Sequence, residues 1–205
     1  MKKRNDGVAQ MVKKPPEDIL RKVMDDALRH GYVFRSMRAI AETSGISHRM
    51  LNYHFGSQFG LWTAIISAAR GSETSLFRAE TETINSTEDL KAFFQKIWRR
   101  YTTEEFRAFY LLHFETYSYA LRHREECAEF LDGVVEPWVE VITALFKRVG
   151  FNERKAAERA RIMLAAMRGF TLDFLTTGET NHIEESGKVL LDLVCADPDG
   201  SEAVT

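Results

Sequence analysis

SMRAIAETSGISHRMLNYHFGSQ, from Ser36 to Gln58, decides the reading of this chain. It reads as a short helix, a tight turn and a second short helix. Ile40 and Ala41 face inward from the first, Gly45 supplies a turn residue that tolerates φ > 0, and Ile46 re-enters the core before Ser47. Leu51 and Phe55 then sit at i and i+4 on the inner side of the second helix. Ser36 and Ser47 are placed to cap the two helices, and Ile46 and Leu51 hold the positions of a hydrophobic staple. Helices this short are marginal alone, so the unit must lean on a third. Such an arrangement is the logic of a DNA-binding helix-turn-helix.

The surroundings supply the third helix. Pro15-Pro16 before Glu17-Asp18 marks a helix start, with proline in the first turn and carboxylates at the positive end of the dipole. Ile19, Leu20, Val23, Met24, Ala27 and Leu28 form one apolar helical face, closed by Gly31. Together with Arg38-Ala39-Ile40-Ala41, Gly45-Ile46-Ser47 and Leu51-Asn52-Tyr53-His54-Phe55-Gly56-Ser57, this stretch resembles the N-terminal domain of the tetracycline-repressor (TetR) family of bacterial transcriptional regulators. The resemblance covers about residues 15–65.

Charge is distributed in the same sense. Residues 1–60 hold 11 Lys and Arg against 6 Asp and Glu, a net of +5, whereas the remainder carries 17 against 24, a net of −7, within a total of −2. A basic head on an acidic body orients the molecule on phosphate. Taking Leu51 as the inward reference at ~100° per residue, Arg49 and Tyr53 point almost directly away, with Met50 and Asn52 on the flanks and His48 in the first turn. Arg49 suits a bidentate bond to guanine, Asn52 suits adenine, and Met50 suits a thymine methyl. The resemblance adds Arg38 as a base or phosphate contact and Ser36, His54 and Gln58 as backbone contacts. Three positions depart from the family pattern: Asn52 replaces a usual tyrosine, Gln58 a usual lysine, and Ala39 the acidic residue that completes a capping box.

Beyond Asn85 every segment reads as helix, and the expected fold is all-α, with no strand-like alternation. Leu90, Phe93, Phe94, Ile97, Trp98 and Tyr101 keep one face; Phe106, Phe109, Tyr110, His113, Phe114 and Tyr117 keep another. A third stretch spans 124–149, where Pro137 marks a kink or a fresh start, followed by helices over about 153–176 and 183–195. The expected organisation is a basic disordered arm at 1–14, a helix-turn-helix domain at 15–60, a regulatory and dimerisation domain at 61–195 whose first helix links the two, and a disordered tail at 196–205.

The helix from Ile162 to Leu175 is apolar nearly all round, with only Arg168 and Asp173 charged, and so needs burial on more than one side. The resemblance implies a homodimer reading an inverted repeat through its last two helices, with Ala165, Gly169, Phe170, Phe174, Leu190 and Val194 as interface residues. It also implies a small-molecule pocket, for which Phe94, Trp98, Phe109, His113, Phe114, Tyr117, Trp138, Met163 and Met167 are the lining set. Such a wall suits an apolar or aromatic effector with few polar handles.

Other classes find little support. A di-iron carboxylate bundle needs two Glu-x-x-His pairs, and only Glu179 to His182 provides one. No GxSxG, P-loop or Cys/His metal cluster occurs, so neither an enzyme nor a metal or cofactor is expected. Cys127 and Cys195 have no metal-like spacing and suit packing in a reducing cytoplasm. No apolar run is long enough for a membrane span, and the basic N-terminus lacks the apolar segment of a signal peptide. The expected protein is a cytoplasmic, ligand-responsive regulator, with repression as the family's usual direction. The alternative is a helical ligand-binding or adaptor protein with weakened or lost DNA binding.

Overall fold

The computed structural model describes residues 15–30, 35–196 and 198. Among these, ten helices and no strand occur: α1 (Glu17–His30), α2 (Met37–Ser44), α3 (His48–Phe55), α4 (Gln58–Thr81), α5 (Thr87–Tyr101), α6 (Glu104–Arg122), α7 (Ala128–Val134), α8 (Glu136–Arg148), α9 (Glu153–Thr177) and α10 (Asn181–Val194). The chain divides into two compact units between Ala68 and Ala69, inside α4. The boundary expected after residue 60 lies at the start of the same helix. The expected basic arm, Gly31 and most of the expected tail fall outside the described residues.

In the first unit α2 packs on both α1 and α3. Ile19, Val23, Ile40, Ile46, Leu51, Phe55, Leu61 and Ile66 are buried, which accounts for the inward positions read from the sequence. Ser36 and Ser47 accept hydrogen bonds from the backbone N–H groups of Ala39 and Met50, each at 3.2 Å, and Gly45 closes α2 at φ 70°. Ser57 accepts from the Gly60 N–H at 3.0 Å and starts α4.

The second unit is built on α8 packed along α9, with α10 against both α5 and α9. Leu90, Phe93, Phe94, Val139, Ile142, Phe146, Ala160, Met163, Leu191 and Val194 share one core. Each fully buried side chain of Leu or Phe size contributes about 1.5–3 kcal/mol. Pro137 proves to be a fresh start and not a kink: the chain breaks at Val135, and the proline lies in the first turn of α8, where its missing N–H costs nothing. Ser86 and Asp89 form a reciprocal capping box at the start of α5. Cys127 and Cys195 are buried free thiols; burial pushes the Cys195 thiol up to about 11. Among the described residues, no helix is long and apolar enough to cross a membrane.

Candidate nucleic-acid interface and ligand cavities

Helix α3 turns one face inward and one outward. Leu51 is fully buried, whereas Tyr53 is 65% exposed and Met50 40%, and His48, Arg49 and Asn52 are exposed as well. The Asn52 amide lies 3.3 Å from the His48 ring nitrogens, so these two side chains, one turn apart, form a single polar surface. Ser36 and Arg38 are exposed at the start of the preceding helix, where Arg38 Nε sits 3.9 Å from the Glu42 carboxylate.

Two expected contacts point elsewhere. His54 is buried, its ring edge-on to Tyr53 at a centroid distance of 4.9 Å. Lying three residues after Leu51, it turns back towards the inner face, as the ~100° step requires. Gln58 is half-buried and donates through Nε2 to the Arg35 carbonyl, so its amide ties the start of α4 to the chain entering α2.

The sequence reading also missed the lock behind this surface. Asp26 is buried on α1, and Arg35 Nη1 donates to its carboxylate at 2.9 Å. The same guanidinium donates to the Ala39 carbonyl at 3.2 Å and to the Thr43 hydroxyl, so one side chain joins α1 to both ends of α2. A carboxylate on an otherwise apolar face of α1 was the available signal.

In the second unit the expected lining set divides between two cavities. The larger, with an empty volume of about 750 Å3 counted to its open mouth, lies between α5, α6, α8 and α9. It takes Phe94, Phe109, His113, Trp138 and Met167 from that set. The smaller, about 470 Å3, lies between α5, α9 and α10 and takes Phe94, Trp98, Met163 and Met167. Phe114 and Tyr117 line neither. They join a ladder of rings along α6 instead, with Tyr110 to Phe114 at 6.3 Å and Tyr117 to Phe130 of α7 at 6.2 Å.

Arg168 stands in the wall of the larger cavity and was not among the expected residues. Its guanidinium donates to the Val134 carbonyl and lies 5.7 Å from the Tyr117 ring centre. Burial pulls its pKa below the usual arginine value, and Tyr117 and Tyr110 act in the opposite direction. A lone arginine in an apolar helical run was the signal for it in the sequence.

The expected dimer residues separate by exposure. Ala165 and Gly169 are exposed, and Phe170 and Leu190 are half-buried. Phe174 and Val194 are instead buried within their own unit, Phe174 against Trp98 and Ile183, and Val194 in the main core. Helical phase decides this: Ile162, Ala165, Gly169 and Leu172 fall within about 80° of arc, and Phe174 lies off that arc. Ile162 and Leu172 are 49% and 53% exposed, and Val189 and Leu193 on α10 are 61% and 68% exposed.

No protein-family model matches the sequence, and no curated protein is similar to it. Solved structures do match. A TetR-family transcriptional regulator from Pectobacterium atrosepticum superposes with a TM-score of 0.64 at 15% identity, over 88% of this chain and 93% of that one. The multidrug binding protein EbrR complexed with ethidium gives 0.63 at 21% identity, over 86% and 95%. NalD, the secondary repressor of the MexAB-OprM multidrug efflux pump in Pseudomonas aeruginosa, gives 0.58 at 16% identity, over 86% and 92%. Helix order, a capped helix-turn-helix and the helical second unit thus come together in one architecture: the chain has the fold of the TetR-family transcriptional regulators.

Proposed function

We propose that this protein is a DNA-binding transcriptional regulator that binds an inverted repeat as a homodimer and releases it when a small molecule occupies the second unit. The observation that carries the reading is the two-faced α3 helix, with Leu51 inside and Arg49, Met50, Asn52 and Tyr53 outside. A short capped helix presenting a basic, polar and aromatic face is what a major groove accepts. Ser36, Arg38 and the N-terminus of α3 supply backbone contacts that set its register. His54 and Gln58 serve this surface from behind.

Dimerisation is supported by the apolar face of Ile162, Ala165, Gly169, Leu172, Val189 and Leu193, which one protomer leaves in water. An isologous contact between two such faces suits an operator with two-fold symmetry, whose half-sites lie about 34–36 Å apart. A ligand-responsive mechanism is supported by the larger cavity, which opens between α5, α6, α8 and α9 among apolar and aromatic side chains with a few polar groups. Ethidium bound to EbrR and the repressor role of NalD point in the same direction. The effector acts by preferring the conformer that does not fit DNA. Such a protein works beside the chromosome, in the cytoplasm, and needs no catalysis.

The test is selection of bound fragments from the source organism's fragmented DNA at about 150 mM salt, where purely electrostatic binding is suppressed. Recovery of an inverted repeat is the expected result. Recovery of nothing above background, with the protein folded and free of ligand, would overturn the reading and leave a helical ligand-binding or adaptor protein.

A further inference from the structure

Arg168 gives the larger cavity a chemical preference that its aromatic lining alone would not have. The guanidinium carries five N–H donors, and the partners it holds are the Val134 carbonyl and the Tyr117 side chain, which are dipoles and not charges. Among the described residues no carboxylate forms an ion pair with it, and no aspartate or glutamate lines this cavity. A half-buried cation without a counter-ion is left partly uncompensated, and the group that compensates it best is a planar oxyanion that accepts two parallel N–H bonds. Around it the walls are largely apolar or aromatic: Phe94, Phe109 and Trp138 supply rings, with Leu164 and Met167 among the other lining side chains. Thr171, one turn on from Arg168, donates its hydroxyl to the Met167 carbonyl at 2.7 Å, so that proton is already engaged within α9.

Resting on the reading of this cavity as the effector site, we propose that its effector is an aromatic carboxylate, with the ring system among the aromatic walls and the carboxylate on Arg168. A cationic ligand would lose its hydration beside a like charge, with no acidic group in the wall to receive it. The preference therefore separates this cavity from one that takes ethidium, a cation, as EbrR does.

The experiment compares three probes on one skeleton, 2-naphthoate, 2-naphthamide and 2-naphthylmethylammonium, by calorimetry with the full chain. The naphthoate is expected to bind roughly 10- to 100-fold more tightly than the other two, the range of a charge-assisted hydrogen-bonded pair. Arg168→Gln should abolish that preference, bringing the naphthoate to the affinity of the naphthamide measured on the same variant, so that any reshaping of the cavity affects both probes alike. Arg168→Lys should keep part of the preference, because it retains the charge and loses the fork. Binding of the amide or the ammonium as tightly as the carboxylate would overturn the anionic class while leaving the cavity as the effector site. Binding of none of the three at millimolar concentration would remove the cavity as an aromatic ligand site, and the proposal with it. The DNA selection described above decides the regulator reading independently of either result.

Discussion

At the scale of single residues, Arg49 and Asp26 act on the same surface from opposite sides. Arg49 is exposed on α3, and in the proposed reading its guanidinium meets a guanine edge. Arg49→Ala is expected to weaken specific binding by about 1–3 kcal/mol per contacted guanine, measured by competition between operator variants. An unchanged base preference would take Arg49 out of the reading role. Asp26 works from inside, holding Arg35 at 2.9 Å with its side chain 3% exposed. Removing one partner of a buried pair strands the other, and Asp26→Ala should cost about 3 kcal/mol, the low end of that range, because Arg35 keeps some contact with water. Amide hydrogen exchange in α1 and α2 is the readout, and protection unchanged from wild type would mean that the pair contributes nothing. Neither Asp26 nor Arg35 was legible as a pair in the sequence, because nine positions and a change of helix separate them.

Elements are decided by capping and by close approach. The start of α4 depends on Gly60, where a Cβ would lie 2.0 Å from the Phe55 carbonyl oxygen, a backbone atom with no room to yield. Gly60→Ala should therefore destabilise the first unit by about 1–3 kcal/mol. At Gly169, in the middle of α9, an added Cβ would meet nothing within 4 Å. Gly169→Ala should leave an isolated protomer unchanged or stabilise it by up to about 1 kcal/mol through helix propensity. Thermal unfolding of the two variants side by side checks the contrast, and equal losses would show that contact at Gly60 is not what separates the two sites. Helix existence was legible from the periodicity of Ile19 to Ala27 and Leu90 to Trp98, and from the long apolar run of Ile162 to Leu175. Gly60 was not, because its constraint comes from a carbonyl belonging to the end of the previous helix.

For the whole molecule the question is which apolar surface belongs to one protomer and which to two. Leu172 and Leu193 are 53% and 68% exposed, so replacing both by glutamate leaves the protomer core untouched. The double variant is expected to sediment as a monomer with unchanged helical circular dichroism. Phe174 is buried beside Trp98, and Phe174→Ala should instead cost about 3–5 kcal/mol of stability in the second unit. If the leucine variant remains dimeric, the interface lies elsewhere.

Local sequence determined the helix-turn-helix, because capping serines, the glycine turn and the Leu51 to Phe55 spacing are short-range features that act within a few residues of one another. It likewise determined the all-α character and the outward set of Arg49, Met50, Asn52 and Tyr53, since helical phase alone orients them. Only the tertiary structure decided what depends on the packing of distant helices. Helical phase turned His54 and Phe174 off the outer faces, but which helices cover them was decided by packing, and so was the division of the aromatic set between two cavities that share Phe94 and Met167. Arg168 gained its place in a cavity wall from the same packing, which brings α5, α6 and α8 around one face of α9. A residue's phase on its own helix is written locally, whereas the helix that meets that phase is chosen by the fold.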